Sequence, residues 1–201
     1  MYPDTGISLK RGNVAKFDFS SDDVHYNDYI KNIMSSPEEL WDVLDGDRNV
    51  TGKTHKRKDP LGPGEYHQVV TGFVRNSKGE YLIMKRAPEK GFAGYWEVPG
   101  GSVTAGESSY TGIVREVLEE TGIDVSKDPY KLVTSYKGDH YFSDAWLFEK
   151  EFDLKDVKYQ KGETCDSSKA FAKDIIEMEA SERFTPFPYL REVFEKIGEA
   201  L

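Results

Sequence analysis

The order of elements along the chain predicts a mixed α/β domain behind an N-terminal extension, and three observations predict it. Two β-rich runs, Tyr66 to Arg75 and Glu80 to Arg86, are joined by the short loop Asn76-Ser77-Lys78-Gly79, which is a hairpin signal. A run with few breakers begins at Ser108, keeps its apolar residues on one arc and stops at Gly122, the residue expected just past a helix C-terminus. Beyond it, Tyr130 to Tyr136 and Tyr141 to Phe148 bracket the turn Lys137-Gly138-Asp139, and Ser168 to Ala180 and Pro188 to Leu201 have helical patterns.

Taken in order, residues 1 to 64 form the extension. Residues 1 to 35 scatter Tyr2, Phe17, Phe19, Tyr26 and Tyr29 among Asp, Ser and Lys with no sustained period. Such aromatic content suits an arm that packs on its own domain or on a partner subunit, and residues 1 to 64 offer a surface through which a homodimer could pair. Ser36 as N-cap, Pro37 at the first helical position and Glu39 predict a short helix leading into Trp41-Asp42-Val43-Leu44, with a turn at Asp45-Gly46-Asp47. Lys56-Arg57-Lys58 is the densest basic cluster, either a solvated run or a grip for a substrate phosphate. The breaker Pro60-Leu61-Gly62-Pro63-Gly64 marks the entry to a main domain over residues 65 to 201. Within it, Ala87 to Gly94 is a loop. The short strand Tyr95 to Val98 then delivers Pro99-Gly100-Gly101 to the helix, and Glu163 lies in a loop ahead of the next helical pattern.

A chain of 201 residues suits one domain with an extension. Its formal net charge of -9 argues against a general nucleic-acid binder, which needs a basic surface to release counterions. A free anionic substrate is repelled as well, unless bound cations invert the local sign. One cysteine, Cys165, excludes an internal disulfide and makes a reducing cytosol the simplest compartment. The first residues show no apolar signal core and no stretch approaches a membrane span, so a soluble cytoplasmic protein is expected.

The helix carries the chemistry. At about 100° per residue, Glu116, Glu119 and Glu120 share one arc, beside an apolar arc containing Tyr110, Ile113, Val114, Val117 and Leu118. Like charges three and four residues apart cost helix stability unless something neutralises them. A hard divalent cation does so, and carboxylate oxygens suit Mg²⁺, with Mn²⁺ as a substitute. Such ions keep coordination free for water and substrate phosphate, which points to phosphate chemistry.

Gly101, five residues, Glu107, seven residues, Arg115-Glu116-Val117, one residue, Glu119-Glu120, one residue, Gly122-Ile123 resembles the complete Nudix box, with every fixed position filled. The resemblance covers roughly residues 65 to 201 and implies a mixed β-sheet sandwiched between helices. It implies metal ligation by Glu116 and Glu120, with Glu119 a third ligand or a water-positioning carboxylate and the backbone carbonyl of Gly100 a further ligand. Arg115 would pair with Glu107 or a box carboxylate and fix its rotamer. Glu97 either reaches the site or is an exposed strand residue.

The reaction implied is metal-dependent hydrolysis of a diphosphate linkage, with Glu119 or Glu163 taking the proton from water. Arg86 is a phosphate contact or a surface arginine. Trp96, Phe92, Tyr136, Tyr141, Phe142 and Trp146 offer a base-stacking face or belong to the core. The expected substrate class is a nucleoside diphosphate linked to another group. The segment Trp41 to Arg86, with Gly64-Glu65-Tyr66-His67, also looks like the branch related to isopentenyl diphosphate isomerase. The strand Gln68 to Arg75 lacks the cysteine that such chemistry uses, and His67 is only a partial match. A catalytically silent nucleotide sensor is the third expectation, and intact box carboxylates weigh against it.

Overall fold

A computed structural model describes residues 39–57 and 59–201. The first two strands, β1 (Leu40–Leu44) and β2 (Val50–Lys56), form an antiparallel hairpin. The short helix expected to start at Ser36 is therefore corrected where it can be seen: Trp41 to Leu44 is extended, while Ser36, Pro37 and Glu38 lie outside the described residues. The strand forms because Trp41, Val43 and Leu44 are buried, and because Asp45 Oδ1 closes the turn by accepting from the amides of Asp47 and Asn49, each at 2.9 Å.

Among the described residues the main sheet has seven strands. β3 (His67–Arg75) is central, flanked by β4 (Tyr81–Arg86) and then β5 (Trp96–Glu97) on one side. On the other side come β8 (Tyr141–Glu149) and β7 (Tyr130–Lys137), while β6 (Gly100–Ser102) also pairs with β3 and β9 (Thr164–Ala170) with β4. The expected β3–β4 hairpin exists but pairs only at its base, Arg75 with Tyr81. The ladder of β3 goes instead to β8, in parallel from His67–Tyr141 to Arg75–Glu149, and to the box strand β6.

Among the described residues, three α-helices accompany the strands: α1 (Ser109–Thr121) between β6 and β7, then α2 (Ala172–Ala180) and α3 (Leu190–Ile197) after β9. The helical pattern from Ser168 is corrected, because Thr164 to Ala170 is strand and the helix begins only at Ala172. Pairing with β4, from Tyr81–Ala170 to Arg86–Thr164, supplies the backbone partners that make this stretch extended. Glu163 accordingly precedes a strand.

Side chains of β3 alternate between two apolar layers. Val70 and Val74 pack with Ile113, Val114 and Val117 of α1, whereas Phe73 joins Tyr81, Phe187 and Phe194 beneath α2 and α3. The sheet is thus covered by helices on both faces. Helix α1 starts with a reciprocal cap: Ser108 Oγ accepts from the amide of Thr111 at 3.1 Å, and Thr111 Oγ1 accepts from that of Ser108 at 2.9 Å. It ends at Gly122, whose φ of 71° is left-handed and whose N–H donates to Leu118 at 2.8 Å.

The approach of α1 to the sheet depends on Gly72. A Cβ there would lie 2.9 Å from Val117 Cγ2 and 3.1 Å from Ile113 Cδ1. Gly72→Ala should therefore lift the box helix from β3 and destabilise the domain by ~1–3 kcal/mol, the usual cost of overpacking a core. Urea unfolding checks this, and a variant as stable as the parent would show that the helix has room to shift.

Candidate metal and phosphate site

The box strand and the helix bring Gly101 against Glu116 so closely that a Cβ on Gly101 would sit 2.4 Å from a carboxylate oxygen. Glycine at this position is thus a requirement of packing against the helix. Beside it, Glu120 Oε2 accepts from the amide of Gly100 at 3.1 Å, tying the far end of the carboxylate edge to the same strand. It is the amide of Gly100, rather than its carbonyl, that the structure sets toward a box carboxylate.

Arg115 organises the other acids. Its Nη1 donates to Glu116 Oε1 at 2.8 Å and to Glu119 Oε2 at 3.2 Å, its Nε to Glu107 Oε1 at 3.1 Å, and its Nη2 to the Ser102 carbonyl at 2.9 Å. One planar guanidinium thereby fixes the rotamers of two candidate ligands and binds the helix to the loop before it. Both proposed pairings of Arg115, to Glu107 and to a box carboxylate, occur together.

Electrostatically the site is short of positive charge. Glu116 and Glu120 are 9% and 8% exposed. Burial pushes the Glu116 carboxyl up to about 7 against the pull of Arg115. Burial, with the charges of Glu116 and Glu97 added, holds Glu120 well above the ordinary carboxylate range. Burial likewise raises Glu119, opposed by Arg115, and Glu97, opposed by Arg86. Glu119 Oε1 is buried with no hydrogen-bond partner.

Among the described residues no three acidic, histidine or cysteine side chains already converge as a metal cage. The donor set nonetheless fits a hard divalent ion. All candidate donors are oxygens, one is a buried orphan, and the carboxylates seat in a cradle that only glycine leaves open.

On the box strand that packs against this edge lies a cleft of about 210 Å³, lined by Val69, Thr71, Glu97, Gly100, Gly101, Ser102, Thr185 and Phe187 among others. Glu97 is thus part of the site's wall. Arg86 holds it through an ion pair of 2.5 Å and donates from Nε to the Gly91 carbonyl at 2.5 Å, so this arginine is committed to orienting Glu97 and the 87–95 loop. Glu163 is bound in an ion pair by Lys90, and the charges of both act on Glu97.

The aromatic residues behave mainly as structure. Trp96 is half-buried against the α2–α3 layer with Lys85 Nζ 5.5 Å from its ring centroid, Tyr136 stacks on Tyr189 at 4.7 Å, and Trp146 donates to Ser109 Oγ at 3.0 Å. Phe142 is buried under Arg48, and Tyr141 is half-buried beside Tyr136. Phe92 is 55% exposed on the 87–95 loop. Lys90, Thr185 and Phe187 escaped the sequence reading. Lys90 stood near the box as one lysine among many, and the two wall residues arrive from a distant segment with no local signal.

A carboxyl whose pKa is higher in the fold than in the unfolded chain stabilises the fold fully below the unfolded value and loses that contribution as pH rises through the folded value. For Glu116 the window runs from 4.5 to about 7, and the upward shift of Glu120 acts in the same direction. The melting temperature of metal-free protein in chelator should therefore fall as pH rises through this window, and excess Mg²⁺ should flatten the fall. Thermal scans with and without the ion check it; a rise with pH in chelator would contradict the charge balance described here.

The NUDIX domain family model matches residues 65–173. An uncharacterized Nudix hydrolase of Listeria monocytogenes is 36% identical over 158 residues, covering 78% of this chain and 94% of that protein. Among solved structures, the MutT protein of Methanosarcina mazei matches with a TM-score of 0.52 at 30% identity, covering 70% of this chain and 96% of that one. A protein of Deinococcus radiodurans matches in fold with a TM-score of 0.66 at 20% identity, covering 78% and 98%. With the carboxylates of Glu116, Glu119 and Glu120 on one edge of α1 and these matches covering most of the chain, the chain belongs to the Nudix hydrolase family, whose members act on acid anhydrides.

Proposed function

We propose that the protein hydrolyses the diphosphate linkage of a nucleoside diphosphate derivative with the help of Mg²⁺, Mn²⁺ being a substitute. The observation that carries this reading is the buried carboxylate edge of α1, undercompensated in charge and packed against the Gly100–Gly101 strand, which with Glu97 lines the neighbouring cleft. Glu116 and Glu120 would hold the ion, with the Gly100 carbonyl as a further ligand and Glu119 either a third ligand or the carboxylate that positions the water. When bound, the ion offsets phosphate charge and acidifies a water.

The chain's own residues do the rest. Arg115 keeps Glu116 and Glu119 from drifting apart when the site is empty, which limits the reorganisation needed on loading. Glu119 offers a proton acceptor through its unpartnered Oε1, whereas Glu163 must first leave Lys90 to do so. This favours Glu119 as the base and gives Lys90 a partner to exchange for a substrate phosphate. Arg86 presents Glu97 to the cleft, and Val69, Thr185 and Phe187 exclude water from one wall. The overall negative charge makes the loaded ion the feature that admits an anionic substrate.

The test is a product screen with Mg²⁺ or Mn²⁺ over ADP-ribose, NADH, diadenosine polyphosphates, CDP, dNTPs and isopentenyl diphosphate. Glu120→Gln should lower turnover by orders of magnitude and leave the fold intact, since it removes a buried charge; wild-type turnover at saturating ion would remove Glu120 from the ligand set. Cys165 is exposed and, among the described residues, its thiol donates to the Arg86 carbonyl at 3.5 Å. Cys165→Ser should leave hydrolysis within about twofold of the parent, the size of an unperturbed surface change. Isomerisation of isopentenyl diphosphate, abolished by Cys165→Ser, would replace the hydrolase reading with a thiol mechanism. Tight nucleotide binding without turnover would replace it with a sensor.

A further inference from the structure

The hairpin β1–β2 lies ahead of the matched domain, yet it grips the loop that precedes the box helix. Asp42 Oδ2 accepts from the amide of Gly106 at 2.8 Å, and the Leu40 carbonyl accepts from that of Ala105 at 2.8 Å. Gly106 has a φ of 86°, so this loop makes a tight left-handed turn at the point where Asp42 holds it. The next residue is Glu107, which accepts from the Thr104 amide at 3.0 Å and from Arg115 at 3.1 Å. Arg115 in turn holds Glu116 and Glu119.

The hairpin is itself fixed. Arg48, held at a φ of 65°, reaches from its turn to Gln68 Oε1 at 2.6 Å and to buried Asp144 Oδ2 at 2.8 Å. Asp144 also accepts from Ser109 Oγ, in the first turn of α1, at 2.6 Å. At the other end, the Trp41 ring stacks on His67 at 4.4 Å. A strand anchored to the central sheet at two places can set the position of a loop that touches it.

We propose that Asp42 is a positioning residue for the metal site, acting through Gly106, Glu107 and Arg115 on the carboxylates of Glu116 and Glu119. The proposal rests on the metal-dependent reading above. Freed from Asp42, the 103–108 loop carries Glu107 away from Arg115, and the guanidinium no longer holds the two carboxylates in one arrangement. The ion then has to order them at its own cost in affinity. Asn at this position still accepts from the Gly106 amide through its side-chain carbonyl, so the effect belongs to the hydrogen bond and not to the charge.

The experiment is titration of the full chain with Mn²⁺ alone, reading free ion by electron paramagnetic resonance, together with hydrogen exchange at the Gly106 amide in metal-free protein. Asp42→Ala should weaken Mn²⁺ binding by about tenfold or more, the usual effect of losing a group that orients ligands. Asp42→Asn should bind like the parent. Lys53→Ala, on the same hairpin, which removes an ion pair with Glu65 of the loop before β3, should also bind like the parent. The Gly106 amide should be protected in the parent and in Asp42→Asn. Parental affinity in Asp42→Ala, or weakening in Asp42→Asn equal to that in Asp42→Ala, overturns the proposal. Should Asp42→Ala fail to fold, exchange of Gly106 at a free-loop rate in the parent overturns it independently. A parent that binds no Mn²⁺ overturns the metal-dependent reading as well, and so separates the two failures.

Discussion

One guanidinium holds together an arrangement that would otherwise repel itself. Arg115 is shared by Glu107, Glu116 and Glu119, all of them largely withdrawn from water, and Glu120 sits beyond its direct reach beside the Gly100 amide. Burying carboxylates is costly unless each finds a counter-charge or donors. The chain meets this demand only in part. The remainder is expressed as raised proton affinity in Glu116 and Glu120, and a divalent cation can take the place of those protons.

The surrounding architecture is arranged so that this deficit stays localised. Gly72 lets α1 lie close to β3, Gly101 leaves the space that the Glu116 carboxylate fills, and the layer of Val70, Ile113 and Val117 keeps water from the back of the helix. On the cleft side the cations Arg86 and Lys90 are each engaged by an acid, Glu97 and Glu163 respectively. Positive charge is therefore present but already neutralised, in keeping with a pocket that takes up metal ion together with an anion.

The legible parts of the sequence were those in which chemistry is local. Helix α1 could be read from its glycine boundary and its 3.6-residue period, and the Arg115–Glu107 pairing from the spacing of the box. Strands β7 and β8 followed from β-rich runs around a glycine turn. The failures share a different cause. Trp41 to Leu44 became a strand because β2 and the bridge from Leu44 to Tyr66 supplied partners, and Thr164 to Ala170 because β4 did. No capping signal reveals a partner chosen from a distant segment. For the same reason Asp42, Thr185 and Phe187 gave no sign of their nearness to the site.

The parallel pairing of β3 with β8 has a consequence for how the protein is made. Everything between those strands, including β6 and α1, forms the connection that must be laid down before His67 to Arg75 and Tyr141 to Glu149 can register. Long-range parallel pairing is slow because loop closure precedes its reward. The box strand and helix lie within that connection and meet β3 over shorter separations, so the carboxylate edge can take shape before the ladder that closes the sheet.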